Sequence, residues 1–332
     1  MEQAMFWEKA SDGKIECRLC PHHCRIAEGK RGTCGVRTAQ NGKLYAAGYG
    51  LISSANSDPI EKKPLYHFHP GKMIFSIGGW GCNFKCGFCQ NWGISQQADL
   101  KGTPILPDKI VADAMSEQSI GIAYTYNEPL INIEFVSACA RLAREAGLVN
   151  VLVTNGYIEK KPAEFILPMV DALNIDIKGM EEDFYKKQCS ASLNPVLAFA
   201  KQATEAGCHV EITNLVIPGL NDADSQMKKL ADWIFDNLGQ KTPVHLSAYH
   251  PQYKMDLPPT PPETLERAYR LFRGKLPYVY IGNVFSDAGQ DTLCPKCGNI
   301  LIVRRRYSVR LTGLKGTKCA KCGRPADIIT GK

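Results

Sequence analysis

Between residues 73 and 284 the chain alternates short apolar runs with longer amphipathic stretches. The runs MIFSIG (73–78), GIAYTY (121–126), VNVLVT (149–154), ALNIDI (172–177), HVEITNLVI (209–217), PVHLSAY (243–249) and PYVYIGN (277–283) are mostly continuous, as strands buried on both faces require. Helices are predicted between them, over 108–119, 130–146, 195–206, 223–239 and 261–274. The third opens on Asn194-Pro195, which reads as a cap followed by a proline in the first turn. Strand and helix alternating at this spacing predict a parallel sheet, and about seven strands predict a TIM-like α/β barrel, complete or partial.

Polar clusters recur where these runs end: Asn127-Glu128-Pro129, Thr154-Asn155-Gly156, Asp176-Ile177-Lys178, the 218–222 turn ending in Asn221-Asp222, Tyr249-His250-Pro251 and Gly282-Asn283. One such cluster is ordinary loop chemistry. Six at one topological position mark a site, because barrels carry their chemistry at the C-terminal ends of the strands.

Length and composition change this picture little. The chain has 332 residues, 44% hydrophobic and 22% charged, which suits a barrel with small modules at either end. The expected division is 1–70, 71–288 and 289–332. No run of eighteen apolar residues occurs and the start lacks a basic head before an apolar run, so a soluble cytoplasmic protein is expected, with no membrane partner. A formal charge of +7 that counts every cysteine as neutral does not argue for nucleic-acid binding.

Cysteine usage does change it. Eleven of the fourteen cysteines fall in three tight groups, which in a reducing compartment reads as metal binding. Cys139, Cys189 and Cys208 stand alone and read as small packing residues. The central group, Cys82, Cys86 and Cys89 in GWGCNFKCGFCQNWG, follows the first barrel strand with spacing C-x3-C-x2-C. A structural zinc takes four ligands, whereas three thiolates on one loop suit a [4Fe–4S] cluster with one iron left open. Such an iron can chelate the amino and carboxylate groups of a methionine moiety.

The C-terminal group, Cys294, Cys297, Cys319 and Cys322, has spacing C-x2-C-x21-C-x2-C with glycine after each pair, the pattern of a zinc ribbon. Between the pairs, Arg304-Arg305-Arg306 reads as a solvated strand edge. The N-terminal group, Cys17, Cys20, Cys24 and Cys34, suits zinc or an auxiliary iron–sulfur cluster, with His22 and His23 as alternative ligands.

The central motif together with YTYNEP, VTNGY, ALNIDIKGM and LVIPGLND resembles the radical S-adenosylmethionine (SAM) superfamily, in the branch of the pyruvate formate-lyase activating enzymes. With the CRLCPHHC start and the terminal cysteine pairs, the ensemble is most similar to the AmmeMemoRadiSam system radical SAM enzymes. The resemblance implies an oxidoreductase-type enzyme. It would reduce its cluster with an electron from a flavodoxin or ferredoxin and cleave SAM to methionine and a 5′-deoxyadenosyl radical. That radical would take hydrogen from a small-molecule or protein substrate, a glycyl radical enzyme being one alternative.

The resemblance also implies roles. Phe88 would border the adenine, and Glu128 would accept from the methionine ammonium. Thr154 and Asn155 would lie near the ribose or methionine. Lys178 would pair with the SAM carboxylate, held by Asp176, which shares its strand face. His250 would lie near SAM, with Asn283 a weaker candidate. The chain departs from the family at Tyr126-Asn127, where two glycines are usual, and at Val153, where an aspartate often helps to hold a cation. Outside this class stand an iron–sulfur electron carrier and a zinc-ribbon nucleic-acid binder, neither of which needs six polar strand ends.

Overall fold

The computed structural model describes residues 1–330. Its centre is one eight-stranded sheet. Strand β1 is Ser54–Pro59; β2 to β8 are Met73–Gly78, Gly121–Tyr124, Val149–Thr154, Ala172–Asp176, His209–Val216, Val244–Ala248 and Val279–Gly282. Neighbours in the sheet are neighbours in the chain. β2 through β8 run parallel, and β1 pairs antiparallel with β2. The apolar runs therefore located every parallel strand, with ends shifted by up to two residues.

Helices α1 (Pro107–Ser116), α2 (Ile133–Glu145), α3 (Lys160–Ile166), α4 (Leu193–Glu205), α5 (Asp224–Asn237) and α6 (Pro262–Arg273) connect successive parallel strands and carry the outer part of the core. Pro129–Asn132 forms a separate 3-10 turn ahead of α2 rather than its first turn. The cap expected at Asn194 lies earlier. α4 starts at Leu193, whose N–H donates to Glu182 Oε2 at 2.9 Å, and Pro195 remains within its first turn. The short α3 was not foreseen.

One feature departs from the expected organisation. β1 lies in the segment assigned to the N-terminal module, but it completes the barrel sheet; its polar sequence SANSDP left no apolar run to read. β8 and β1 are the two edges of the sheet, so the barrel is the partial form of the two expected.

The C-terminal segment is fastened across this opening. Ile329 exchanges backbone hydrogen bonds with His67 and His69, at 2.8 and 2.7 Å. Tyr278, just before β8, donates to Asp327 at 2.6 Å. The N-terminal segment forms two small three-stranded sheets and is pinned by a buried ion pair, Arg37 Nη1 to Glu134 Oε1 at 3.1 Å. No helix among the described residues is long and apolar enough to cross a membrane.

Candidate active site

The loop after β2 carries Cys82, Cys86 and Cys89, the first two buried and the third half-buried. Its path is fixed from several sides. Gly81 has φ +82°, and a Cβ there would lie 2.2 Å from the carbonyl oxygen of Cys34. Asn127 Nδ2 donates to the Gly81 carbonyl at 2.9 Å, so one of the residues replacing the family's glycines braces the loop. Asn83 donates to the Tyr157 carbonyl and accepts from Asn155 Nδ2, both at 2.8 Å. Asn155 Nδ2 also lies 3.7 Å from Cys82 Sγ. Lys85 and Gly87 donate backbone N–H groups to Cys189 and Gln188.

All three thiols are pushed up in pKa. Burial dominates at Cys82 and Cys89; at Cys86 a hydrogen bond with the Cys189 thiol comes first, followed by burial. Such groups ionise readily only when a metal takes the thiolate. The three sulfurs do not converge within 4.8 Å, as ligands of a single ion would. A four-iron cluster spreads its thiolates more widely and does not require that convergence.

These residues open onto a cavity of about 1470 Å³. Every residue assigned by sequence to the cluster or to SAM lines it: the three cysteines, Phe88, Glu128, Thr154, Asn155, Asp176, Lys178 and His250, with Asn283. Glu128 is buried, and burial raises its pKa to about 7 against the opposing hydrogen bonds. Its Oε1 accepts from Leu130 N–H at 3.0 Å and Thr154 Oγ1 at 2.8 Å; its Oε2 accepts from Asn155 N–H at 2.8 Å. Lys178 Nζ is 3.1 Å from Asp176 Oδ2 and 5.9 Å from the centre of the Phe88 ring. Burial would lower the Lys178 pKa, but the charge of Asp176 leads the opposing effects, which outweigh it and hold the ammonium charged. His250 is exposed at the rim, its Nε2 3.1 Å from the Asn283 carbonyl.

Of the terminal groups, the C-terminal one is the set whose sulfurs all converge within 4.8 Å among the described residues. Cys294 and Cys322 lie 3.6 Å apart, and Cys297 and Cys319 lie 3.7 Å apart. Backbone N–H groups, that of Cys322 first, pull the Cys319 thiol down to about 6. Cys17, Cys20, Cys24 and Cys34 are near enough for each charge to oppose the others, yet they do not converge in this way. His22 Nε2 is 2.7 Å from the Asn83 carbonyl and His23 Nε2 is 2.8 Å from Glu159, so both rings have partners other than the cysteines.

Sequence reasoning missed three features of the site. Cys189 sits on a turn of π-helix and reaches Cys86; a lone cysteine gives no sequence signal for this. Glu61, Lys63 and Tyr66 line the cavity from behind β1, a strand that was itself unreadable. Arg304, expected at a solvated edge, is fully buried and lines the same cavity. Its place two residues after Ile302, on the same strand face, was the signal available for that.

Residues 77–234 match the Radical SAM superfamily. An uncharacterized protein of Methanocaldococcus jannaschii is 47% identical over 335 residues, 99% of this chain and 100% of that protein. The pyruvate formate-lyase 1-activating enzyme of Escherichia coli (strain K12) is 24% identical over 205 residues, 56% of this chain and 83% of that one. Among solved structures, a radical SAM methyltransferase from Sphaerobacter thermophilus superimposes with TM-score 0.50 at 17% identity, covering 73% of this chain and 72% of that chain. At that identity the likeness concerns the fold alone.

Proposed function

This chain carries a radical SAM domain with homology to pyruvate formate-lyase activating enzymes, and from that premise we propose that it holds a [4Fe–4S] cluster on Cys82, Cys86 and Cys89 and cleaves SAM reductively to attack a substrate in the same cavity. The observation that carries this reading is convergence. Two buried thiols and a half-buried one, a buried carboxylate and a half-buried lysine, from the ends of β2, β3 and β5, line one cavity. Superfamily membership supports an enzyme over a bare electron carrier, which has no use for such a cavity.

When bound, cluster and SAM supply the hard chemistry: one electron breaks the sulfonium S–C5′ bond and yields a carbon radical that removes hydrogen from substrate. The chain binds and orients. Lys178, kept charged by Asp176, is suited to the methionine carboxylate. Glu128, once ionised, is suited to the ammonium and already fixes Thr154 and Asn155 beside it. Phe88 is suited to border the adenine. His250, exposed at the rim, is the least constrained of the set.

The electron must come from outside, from a donor of the flavodoxin or ferredoxin class. Fourteen free cysteines fit a reducing, cytoplasmic setting. The activating enzymes among the relatives favour a glycyl radical protein as a second reading of the substrate.

For the C-terminal group we propose zinc. Sulfurs about 2.3 Å from a tetrahedral zinc lie about 3.8 Å apart, and the observed 3.6 and 3.7 Å support that spacing. The wider N-terminal set favours an auxiliary iron–sulfur cluster over zinc. The test of the main reading is electron paramagnetic resonance of the anaerobically reconstituted, reduced protein. SAM should shift the spectrum of the Cys82/Cys86/Cys89 cluster, and an unchanged spectrum would contradict SAM binding at that iron.

A further inference from the structure

The cavity has a second wall that the proposed SAM chemistry does not use. It is built by the segment after β1 and by the C-terminal hairpin Ile300–Arg305/Ser308–Arg310, which lie on either side of the sheet opening. Arg304 joins them. It is fully buried; Nη1 donates to Thr292 Oγ1 and Nη2 to the Tyr66 carbonyl, both at 2.6 Å. Its guanidinium lies 4.2 Å from the centre of the Tyr66 ring.

Two facts remain unexplained by a purely structural role. Arg304 Nε has no hydrogen-bond partner, and among the described residues the side chain forms no ion pair, whereas its neighbour Arg305 pairs with Asp291 at 3.1 Å. A buried cation without a counter-charge is costly unless something completes it. Two further buried oxygens on the cavity lining are also without partners, Glu61 Oε2 and Thr213 Oγ1.

The surrounding charges do not complete it. Lys62 and Lys63 share the single carboxylate of Asp58, at 2.8 Å each, which leaves that group nothing to offer Arg304. Asp176 is taken by Lys178, Asp291 by Arg305, and Glu128 by its N–H and hydroxyl donors. Glu61 lies near enough for the Arg304 charge to pull its pKa down, yet burial raises it overall and the two side chains form no ion pair. Positive charge without an ion-pair partner among the described residues is left at depth, on Arg304, and at the rim, on Arg306, which stacks 4.9 Å over the exposed Phe285 ring.

We propose that the C-terminal module forms the substrate wall of the active site, and that Arg304, aided at the rim by Arg306, recognises an oxyanion of the substrate, a carboxylate or a phosphate. This rests on the radical SAM reading of the same cavity and adds a substrate class to it. A planar guanidinium with an unused Nε–H suits such a group. There is space: ligand sites typically occupy about 300–1,000 Å³, and this cavity of about 1470 Å³ leaves room beside SAM. The arginine run is thereby tied to the cavity instead of to nucleic acid.

The test is equilibrium dialysis of the metal-loaded protein with SAM, at fixed ionic strength, against radiolabelled inorganic phosphate in one arm and radiolabelled succinate in the other. Wild type should bind at least one of them, and the stronger identifies the kind of oxyanion. Arg304→Gln should weaken that binding by about tenfold or more, the scale of a lost charge-assisted hydrogen bond. Arg306→Gln should weaken it by about two- to threefold. Where Arg304→Gln does not fold, as judged by circular dichroism and metal content, Arg304→Lys decides: a loss of about fivefold or more is expected, because the charge stays and the fork is gone. No binding by wild type, or equal binding by the folded Arg304 variant, would overturn the proposal. The dialysis needs no SAM cleavage, so its failure is read separately from failure of the radical reaction.

Discussion

Glu128 accepts a 2.8 Å hydrogen bond from the backbone N–H of Asn155, tying the end of β3 to the end of β4. The same carboxylate holds Thr154, while Asn155 reaches across to Asn83 and the Cys82 sulfur. A residue proposed for SAM binding is thus also the fastener of the turn beside the cluster loop. Its pKa, raised by burial to about 7, gives that dual role a pH signature. Below about 7 the protonated carboxyl is a poor acceptor for the N–H groups of the methionine amino group; above it, the carboxylate accepts from them fully. SAM binding to the reduced protein is expected to tighten as pH rises from 6 to 8. Glu128→Gln should flatten that slope and weaken binding at pH 8 by about tenfold. A pH titration of the SAM dissociation constant for both proteins measures this, and an unchanged slope in the variant would remove Glu128 from the ammonium site.

Gly81→Ala should damage the cluster loop. The residue has φ +82°, and the new Cβ would meet the Cys34 carbonyl at 2.2 Å, a contact with backbone that cannot simply swing aside. A cost of about 2 kcal/mol or more is expected, with a fall in iron retained after reconstitution. Gly87→Ala is the control: it lies in the same loop, at no positive φ, with nothing within 4 Å of its added Cβ. Its iron content should match wild type.

The Arg37–Glu134 pair should be unforgiving. Both side chains are almost fully buried, at 1% and 4% exposure. Glu134→Gln removes the counter-charge from Arg37, and breaking a buried pair on one side costs about 3–5 kcal/mol. Chemical denaturation should register that loss, while the double variant Arg37→Met/Glu134→Met should recover part of it.

Metal analysis separates the two terminal cysteine groups. One zinc per chain is expected to survive iron chelation in wild type and to vanish in Cys319→Ser. Limited proteolysis of that variant should cut after residue 289, because the module has few other buried residues to hold it. Iron at the central loop should be retained. Loss of all iron together with the zinc would show the modules to be inseparable.

Much of this was legible because the signals are local. Continuous apolar runs mark strands covered on both faces, and all seven parallel strands were found that way. Asp176 and Lys178 were assigned to one inward face from their spacing, and they do meet at 3.1 Å. What was missed is long-range. β1 is polar because only its pairing with β2 places it in the sheet. Arg304 was read as solvated because three arginines in a row resemble a surface; its burial depends on Tyr66, 238 positions away. Cys189 meets Cys86 only because a turn of π-helix folds against the loop. The proposed cap at Asn194 failed because Glu182 supplies the acceptor from outside the helix.

The central claim is that Cys82, Cys86 and Cys89 hold the cluster that cleaves SAM. The most direct measurement is anaerobic: reconstitute with iron and sulfide, reduce with dithionite, add SAM and quantify 5′-deoxyadenosine, beside the Cys82→Ala/Cys86→Ala/Cys89→Ala protein. Product is expected from wild type and none above background from the triple variant. A wild-type protein carrying its full cluster that forms no 5′-deoxyadenosine, or a triple variant that forms as much, would contradict the account.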